Sequence, residues 1–133
     1  MSVVQLPSLI VDELLRRAQA SPEEEICGLI SRDRRGFRKC YPVPNQAGDK
    51  QRFFALDPKA QIDAMRTMRS DGEELAAIYH SPPRSPPFPS STDVEQHEYP
   101  DVLYLIISLG TRNKPELRGF YIRGQAIEEV TIG

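Results

Sequence analysis

Few side chains in this chain could do chemistry, and three of them lie close together. His80 ends the apolar run Ala76-Ala-Ile-Tyr79, and Ser90 and Asp93 follow ten and thirteen positions later. Glu25, far upstream, abuts the apolar stretch Ile26-Cys-Gly-Leu-Ile30. Two carboxylates and an imidazole suit metal-assisted hydrolysis. In that chemistry a metal lowers the pKa of a bound water to about 7, and a nearby carboxylate takes the proton. A catalytic zinc usually has three protein ligands and an open position, and spacing alone supplies two here.

The segment carrying these groups is unusual. Five prolines fill the eight positions from 82 to 89. Proline fixes φ and has no N–H, so this loop is stiff and cannot belong to a central strand. A stiff loop between regular elements can present reactive side chains from a rigid scaffold. The plainer reading is a Pro-rich connection ending in an ordinary helix cap. Thr92-x-x-Glu95 is a capping box, which leaves Ser90 and Asp93 for other work.

The elements that must position these residues are legible from periodicity. Leu6, Ile10, Leu14 and Ala18 recur at i+4 and predict an amphipathic helix over 6–20. Residues 26–30 predict a strand, with Glu25 held at the sheet's rim. A basic hairpin tip around Gly36 leads to a strand over 37–44, and 52–56 predicts a short strand. Asp57 and Pro58 fit N-cap and N1 of a second helix lined by Ala60, Ala64 and Met68 and ended by Asp71-Gly72. Leu75 to Tyr79 is the strand that delivers His80, and a third helix follows Thr92. The unbroken apolar run 102–109 suits a strand buried on both faces. A hairpin over 116–132 turns at Gly124. The expected fold is α/β (α+β): a single domain over 1–133, with one mixed sheet and helices packed on it.

Composition narrows the function. At 133 residues, 39% hydrophobic and 27% charged, the chain has the make-up of a globular domain. A net charge of −2 gives no nucleic-acid footprint. The basic cluster Arg32, Arg34, Arg35, Arg38 and Lys39 reads as a solvated turn, since no aromatics interleave it. No signal segment and no apolar run of membrane-spanning length is present, so a cytoplasmic protein with no membrane partner is expected. Cys27 and Cys40 form no C-x-x-C and read as small buried hydrophobes.

Taken together, these residues resemble the JAMM (MPN+) metallopeptidases, specifically the short bacterial members of the Mov34/PAD-1 group. That family's motif is a Glu before a Gly-containing strand, then His-x-His, seven residues, and Ser-x-x-Asp. Glu25-Ile-Cys-Gly28, His80 and Ser90-x-x-Asp93 match it. Asn45, Phe53 or Phe54, Asp57-Pro58 and the late strand ending at Ser108 also look like the bacterial members. The resemblance implies a three-layer fold of the cytidine-deaminase type and a zinc ion held by His80 and Asp93. It further implies Glu25 as general base and Ser90 as hydrogen-bond donor to the oxyanion. The implied substrate is the bond after the C-terminal Gly-Gly of a ubiquitin-like protein. The lack of long insertions favours small sulphur-carrier proteins of the ThiS/MoaD type.

One position departs from the motif. Pro82 stands where the family has its second histidine, and proline has no side-chain donor for a metal. His97, or Glu25 moving onto the metal, could substitute. Two readings follow: a zinc-dependent peptidase or isopeptidase with an impaired metal site, or a catalytically inactive binding module for the same partner. A zinc-dependent deaminase drops out for want of a P-C-x-x-C signature.

Overall fold

The computed structural model describes residues 3–49, 54–81, 88–90, 93–94, 99, 101–109 and 115–133. Its elements run β1 (Val3–Val4), α1 (Ser8–Gln19), β2 (Cys27–Asp33), β3 (Gly36–Val43) and α2 (Pro58–Ser70). They continue with β4 (Glu74–His80), β5 (Leu103–Ser108), β6 (Glu116–Arg123) and β7 (Ala126–Ile132). The strands form a mixed sheet in the order β1-β7-β6-β5-β4-β2-β3, with the two helices packed against it, an α+β architecture.

Helix α1 buries the stripe its periodicity marks, α2 buries Met68 with Ala60 and Ala64 half-buried beside it, and the two helices meet opposite faces of the sheet. Ile10, Leu14 and Ala18 of α1 pack with Ala77 and Tyr79 of β4 and with Leu103, Leu105 and Ile107 of β5. Met68 of α2 packs with Leu29, Ile78 and Tyr104 from the other side. Alternate residues of one strand thus serve alternate cores, as the two-residue side-chain period of a strand requires. Every residue of β5 is buried, which is why that run carries no polar alternation.

Local signals fix the ends. Asp57 Oδ2 accepts from the Ala60 N–H at 3.1 Å and caps α2, with Pro58 in the first turn. Gly72, at φ 73°, ends it while the Glu73 N–H returns to Met68 O at 2.7 Å. Side chains of the basic segment pair at the surface, Arg38 with Asp33 within the hairpin at 3.3 Å, and Arg32 with Glu74 at 2.8 Å and Lys39 with Asp71 at 3.3 Å across to neighbouring elements.

The structure corrects the expected elements in several places. Strand β1, which pairs parallel with β7, carries only two residues and gave no periodicity to read. The expected strand over 52–56 is reduced, among the described residues, to a single bridge between Asn45 and Leu56. Thr92, Glu95, His97 and the prolines from 82 to 87 lie outside the described residues. Among the described residues, no helix is long and apolar enough to cross a membrane.

Candidate functional site

The site forms where the end of β4 meets the start of β2. These strands are antiparallel, with Cys27 opposite His80 and Gly28 opposite Tyr79. Glu25, two residues before β2, therefore comes near His80, which closes β4, although more than fifty positions separate them in sequence. The backbone continues the ladder one step further. The Ser81 N–H donates to Ile26 O at 3.1 Å, and the Ile26 N–H donates to Ser81 Oγ at 3.1 Å.

Gly28 makes this register possible. A Cβ at Gly28 would sit inside the Tyr79 ring, which crosses the strand there toward the α1 core. With Tyr79 on that face, His80 projects to the α2 side.

His80 is 3% exposed, and its imidazole is contacted on one face and at its Nε2 edge. Phe54 stacks on it with centroids 4.1 Å apart and planes inclined by 16°. His80 Nε2 lies 3.5 Å from Asp93 Oδ2, while the buried Nδ1 has no hydrogen-bond partner among the described residues. Burial pushes the Asp93 carboxyl up, but its contacts with His80 and Ser90 outweigh this and hold it below the ordinary carboxylate value.

Ser90 and Asp93 are tied to each other. The Ser90 N–H donates to Asp93 Oδ2 at 2.8 Å, and the Asp93 N–H donates to Ser90 Oγ at 3.1 Å. Val94 N–H closes the turn on Ser90 O at 3.1 Å. The reciprocal cap therefore falls on Ser90-x-x-Asp93 itself, which corrects the expectation that both side chains stand clear of capping. Ser90 Oγ accepts there through a lone pair and keeps its O–H hydrogen for donation elsewhere.

Glu25, two residues before β2, is buried, with 4% of its surface exposed. Desolvation pushes its carboxyl up to about 7, with His80 opposing the rise and Asp93 adding to it. A carboxyl in that range can exchange a proton in both directions near neutral pH. The structure thus brings Glu25, His80, Ser90 and Asp93 into one cluster.

The sequence marked Asn45 and Phe54 only as framing and gave Ser81 no part. Asn45 Oδ1 accepts from the Ala47 and Ala55 N–H groups at 3.0 Å each, and its Nδ2 donates to Glu25 O at 3.0 Å. The one readable signal was an Asn beyond a strand end, where Asx turns form. Cys27, on the α2 face beside His80, is a buried thiol pushed up to about 12 by burial and then by Glu25, consistent with an inert small hydrophobe. Cys40 is half-buried and likewise pushed up to about 12, mainly by burial.

The donor set fits a zinc ion only in part. Imidazole and carboxylate are zinc donors, and 3.5 Å matches the roughly 3.3–3.5 Å between two ligands of a tetrahedral ion with bonds of 2.0–2.2 Å. Among the described residues, however, no three His, Cys, Asp or Glu side chains form a metal-holding group. Pro82 adds no donor from its own position. Among the described residues the set does not amount to a catalytic zinc site.

The chain is an α+β domain with a mixed sheet, and a buried carboxylate lies near a His–Asp pair at one strand end. Comparison with known proteins makes the class specific. Residues 7–122 match the family of prokaryotic homologues of the JAB domain, and the chain belongs to that family. It is 34% identical to the desampylase of Haloferax volcanii over 93 residues, which cover 68% of this chain and 67% of that one. It is 27% identical to the CysO-cysteine peptidase of Mycobacterium tuberculosis over 124 residues, 92% of this chain and 85% of that one. The solution structure of a Desulfitobacterium hafniense protein superposes with a TM-score of 0.84 at 30% identity, covering 98% of this chain and 91% of that one.

Proposed function

We propose that this chain hydrolyses the bond following the C-terminal Gly-Gly of a small ubiquitin-like or sulphur-carrier protein of the ThiS/MoaD type. The observation that carries this reading is the buried Glu25 carboxyl, pushed up to about 7 against the His80–Asp93 pair. The relatives named for peptidase and desampylase activity support it. In this reading Glu25 accepts the proton of the attacking water and returns it to the leaving amine. Asp93 stays ionised beside His80, and the Ser90 O–H donates to the oxygen of the developing oxyanion. The reaction takes place in the cytoplasm, on one domain spanning the chain.

The partner is recognised through its tail. Two glycines let the main chain pass close to the protein and hydrogen-bond with it. Phe88 supplies an apolar wall. It packs edge-on against buried Phe120, with centroids 5.2 Å apart, and half of its surface stays exposed.

Zinc is the cofactor that the family resemblance implies, with His80 and Asp93 as its ligands. Pro82 argues for the second reading, a binding module that keeps the tail groove and hydrolyses nothing. One experiment separates the two readings. A ThiS-like protein, extended beyond its Gly-Gly by a reporter peptide, is incubated with the chain and titrated by NMR. Cleavage supports the peptidase. Binding without cleavage supports the module. Equal binding of a tail lacking both glycines would sink both.

A further inference from the structure

Glu25 and Ile26 share one peptide unit, and both of its polar atoms are held by side chains from elsewhere. Its carbonyl oxygen accepts from Asn45 Nδ2 at 3.0 Å. Its N–H donates to Ser81 Oγ at 3.1 Å. A peptide unit is planar, so anchoring its oxygen and its nitrogen fixes the rotation of the whole plane. That rotation sets the direction in which the Glu25 side chain leaves the backbone.

Both anchors are also chained to His80. Ser81 is the next residue after His80, is 1% exposed, and returns its own N–H to Ile26 O at 3.1 Å. Asn45 reaches His80 by another route. Its Oδ1 takes the Ala55 N–H at 3.0 Å, and Ala55 follows Phe54, whose ring stacks on the imidazole. Gln46 N–H to Ala55 O at 2.8 Å and Asp57 N–H to Pro44 O at 3.1 Å keep the two stretches side by side. One carboxamide therefore holds the Glu25 backbone and the segment that covers His80.

We propose that Asn45 and Ser81 are positioning residues that clamp the Glu25–Ile26 peptide plane from both ends and so aim the Glu25 carboxylate into the His80–Asp93 cluster. Neither residue touches the reacting atoms. The bearing of this clamp on catalysis rests on the proposed role of Glu25, whereas the clamp itself is tested without turnover.

The test uses the full chain with 13C-labelled glutamate in a chelating buffer, comparing the parent with the uncharged variants Asn45→Ala and Ser81→Ala. Asn45→Ala adds no charge and removes the donor to Glu25 O together with the acceptor for the Ala47 and Ala55 amides. Ser81→Ala removes only the acceptor for Ile26 N–H. The readout is the pH profile of the Glu25 carboxyl resonance, assigned by its loss in Glu25→Gln. The titratable groups facing that carboxyl are His80, Asp93 and the Cys27 thiol, and all three stay in place. In each variant the midpoint should fall by about one pH unit or more as the carboxylate swings toward water. Where the parent cleaves the Gly-Gly fusion, kcat should fall about tenfold or more with KM nearly unchanged, the signature of a misplaced group. Ser81→Thr, which keeps the hydroxyl, should restore the parent profile.

An unchanged Glu25 profile in both folded variants overturns the proposal. So does failure of both variants to fold, which would make the two residues structural. A shifted profile in a chain that cleaves no conjugate leaves the clamp standing and removes the peptidase. Cleavage by the parent with unmoved variant profiles does the reverse.

Discussion

Phe54 lies flat on the His80 imidazole, centroids 4.1 Å apart and planes 16° from parallel. The ring covers one face of His80, and the Nε2 edge is left directed at Asp93. Phe54→Ala should uncover the ring. The His80 ring-proton resonances should lose their upfield ring-current displacement, and stability should fall by about 1 kcal/mol for the aromatic pair, more once the lost buried area is included. Unmoved His80 resonances would show that the stack does not persist in solution.

Zinc content tests the site at position 82. Losing a partner one step removed from a metal typically costs 10–100-fold in affinity, so a missing direct ligand should cost more. The chain as it stands should purify with well under one zinc per molecule by elemental analysis. Pro82→His should bring the content close to stoichiometric and raise Gly-Gly-directed cleavage well above the parent's. Full occupancy with Pro82 in place would mean that another residue completes the site. A zinc-free, inert Pro82→His variant would favour the binding module.

Glu25 imposes a pH dependence on stability. Its carboxyl is raised from 4.5 to about 7 in the folded chain, so the folded state binds the proton more tightly than the unfolded state. The stability it contributes is complete below about pH 4.5 and is lost as pH rises through about 7, a change of roughly 3 kcal/mol. Glu25→Gln should abolish this component. In chelating buffer its urea-unfolding free energy should decline less than the parent's between pH 5 and pH 8. Parallel declines would show that Glu25 is not buried as described. The same variant should eliminate hydrolysis, since an amide cannot accept the proton.

Gly28→Ala should be disproportionately harmful. The new methyl would meet the ring of Tyr79, which is wholly buried in the α1 core and cannot retreat to solvent. Overpacking of this kind costs about 1–3 kcal/mol and should also disturb the register that sets His80 opposite Cys27. Gly48→Ala, where no atom lies within 4 Å of the added carbon, serves as the control and should be nearly neutral. Equal thermal shifts for the two would contradict the packing at Gly28.

The chain's periodicities were enough to place most elements. The i+4 stripe of α1, the Asp57-Pro58 start and Gly72 end of α2, and the uniformly apolar β5 are local patterns with local causes. They were readable because helix capping and side-chain alternation depend on neighbours a few residues away. The types of the chemical residues were equally plain, as was the lack of a donor on Pro82.

Tertiary structure decided which of those residues meet and in what state. No local pattern states that Glu25, two residues before β2, will come near the residue that ends β4; that follows from the antiparallel pairing of two strands far apart in sequence. Only this pairing, with Gly28 giving way to Tyr79, brings Glu25 to His80. The raised Glu25 carboxyl has the same origin, because desolvation depends on everything packed around a group and not on its flanking residues. The parts of Asn45, Ser81 and Phe54 were hidden for that reason as well. Each acts through one long-range contact, which leaves no periodicity in the sequence.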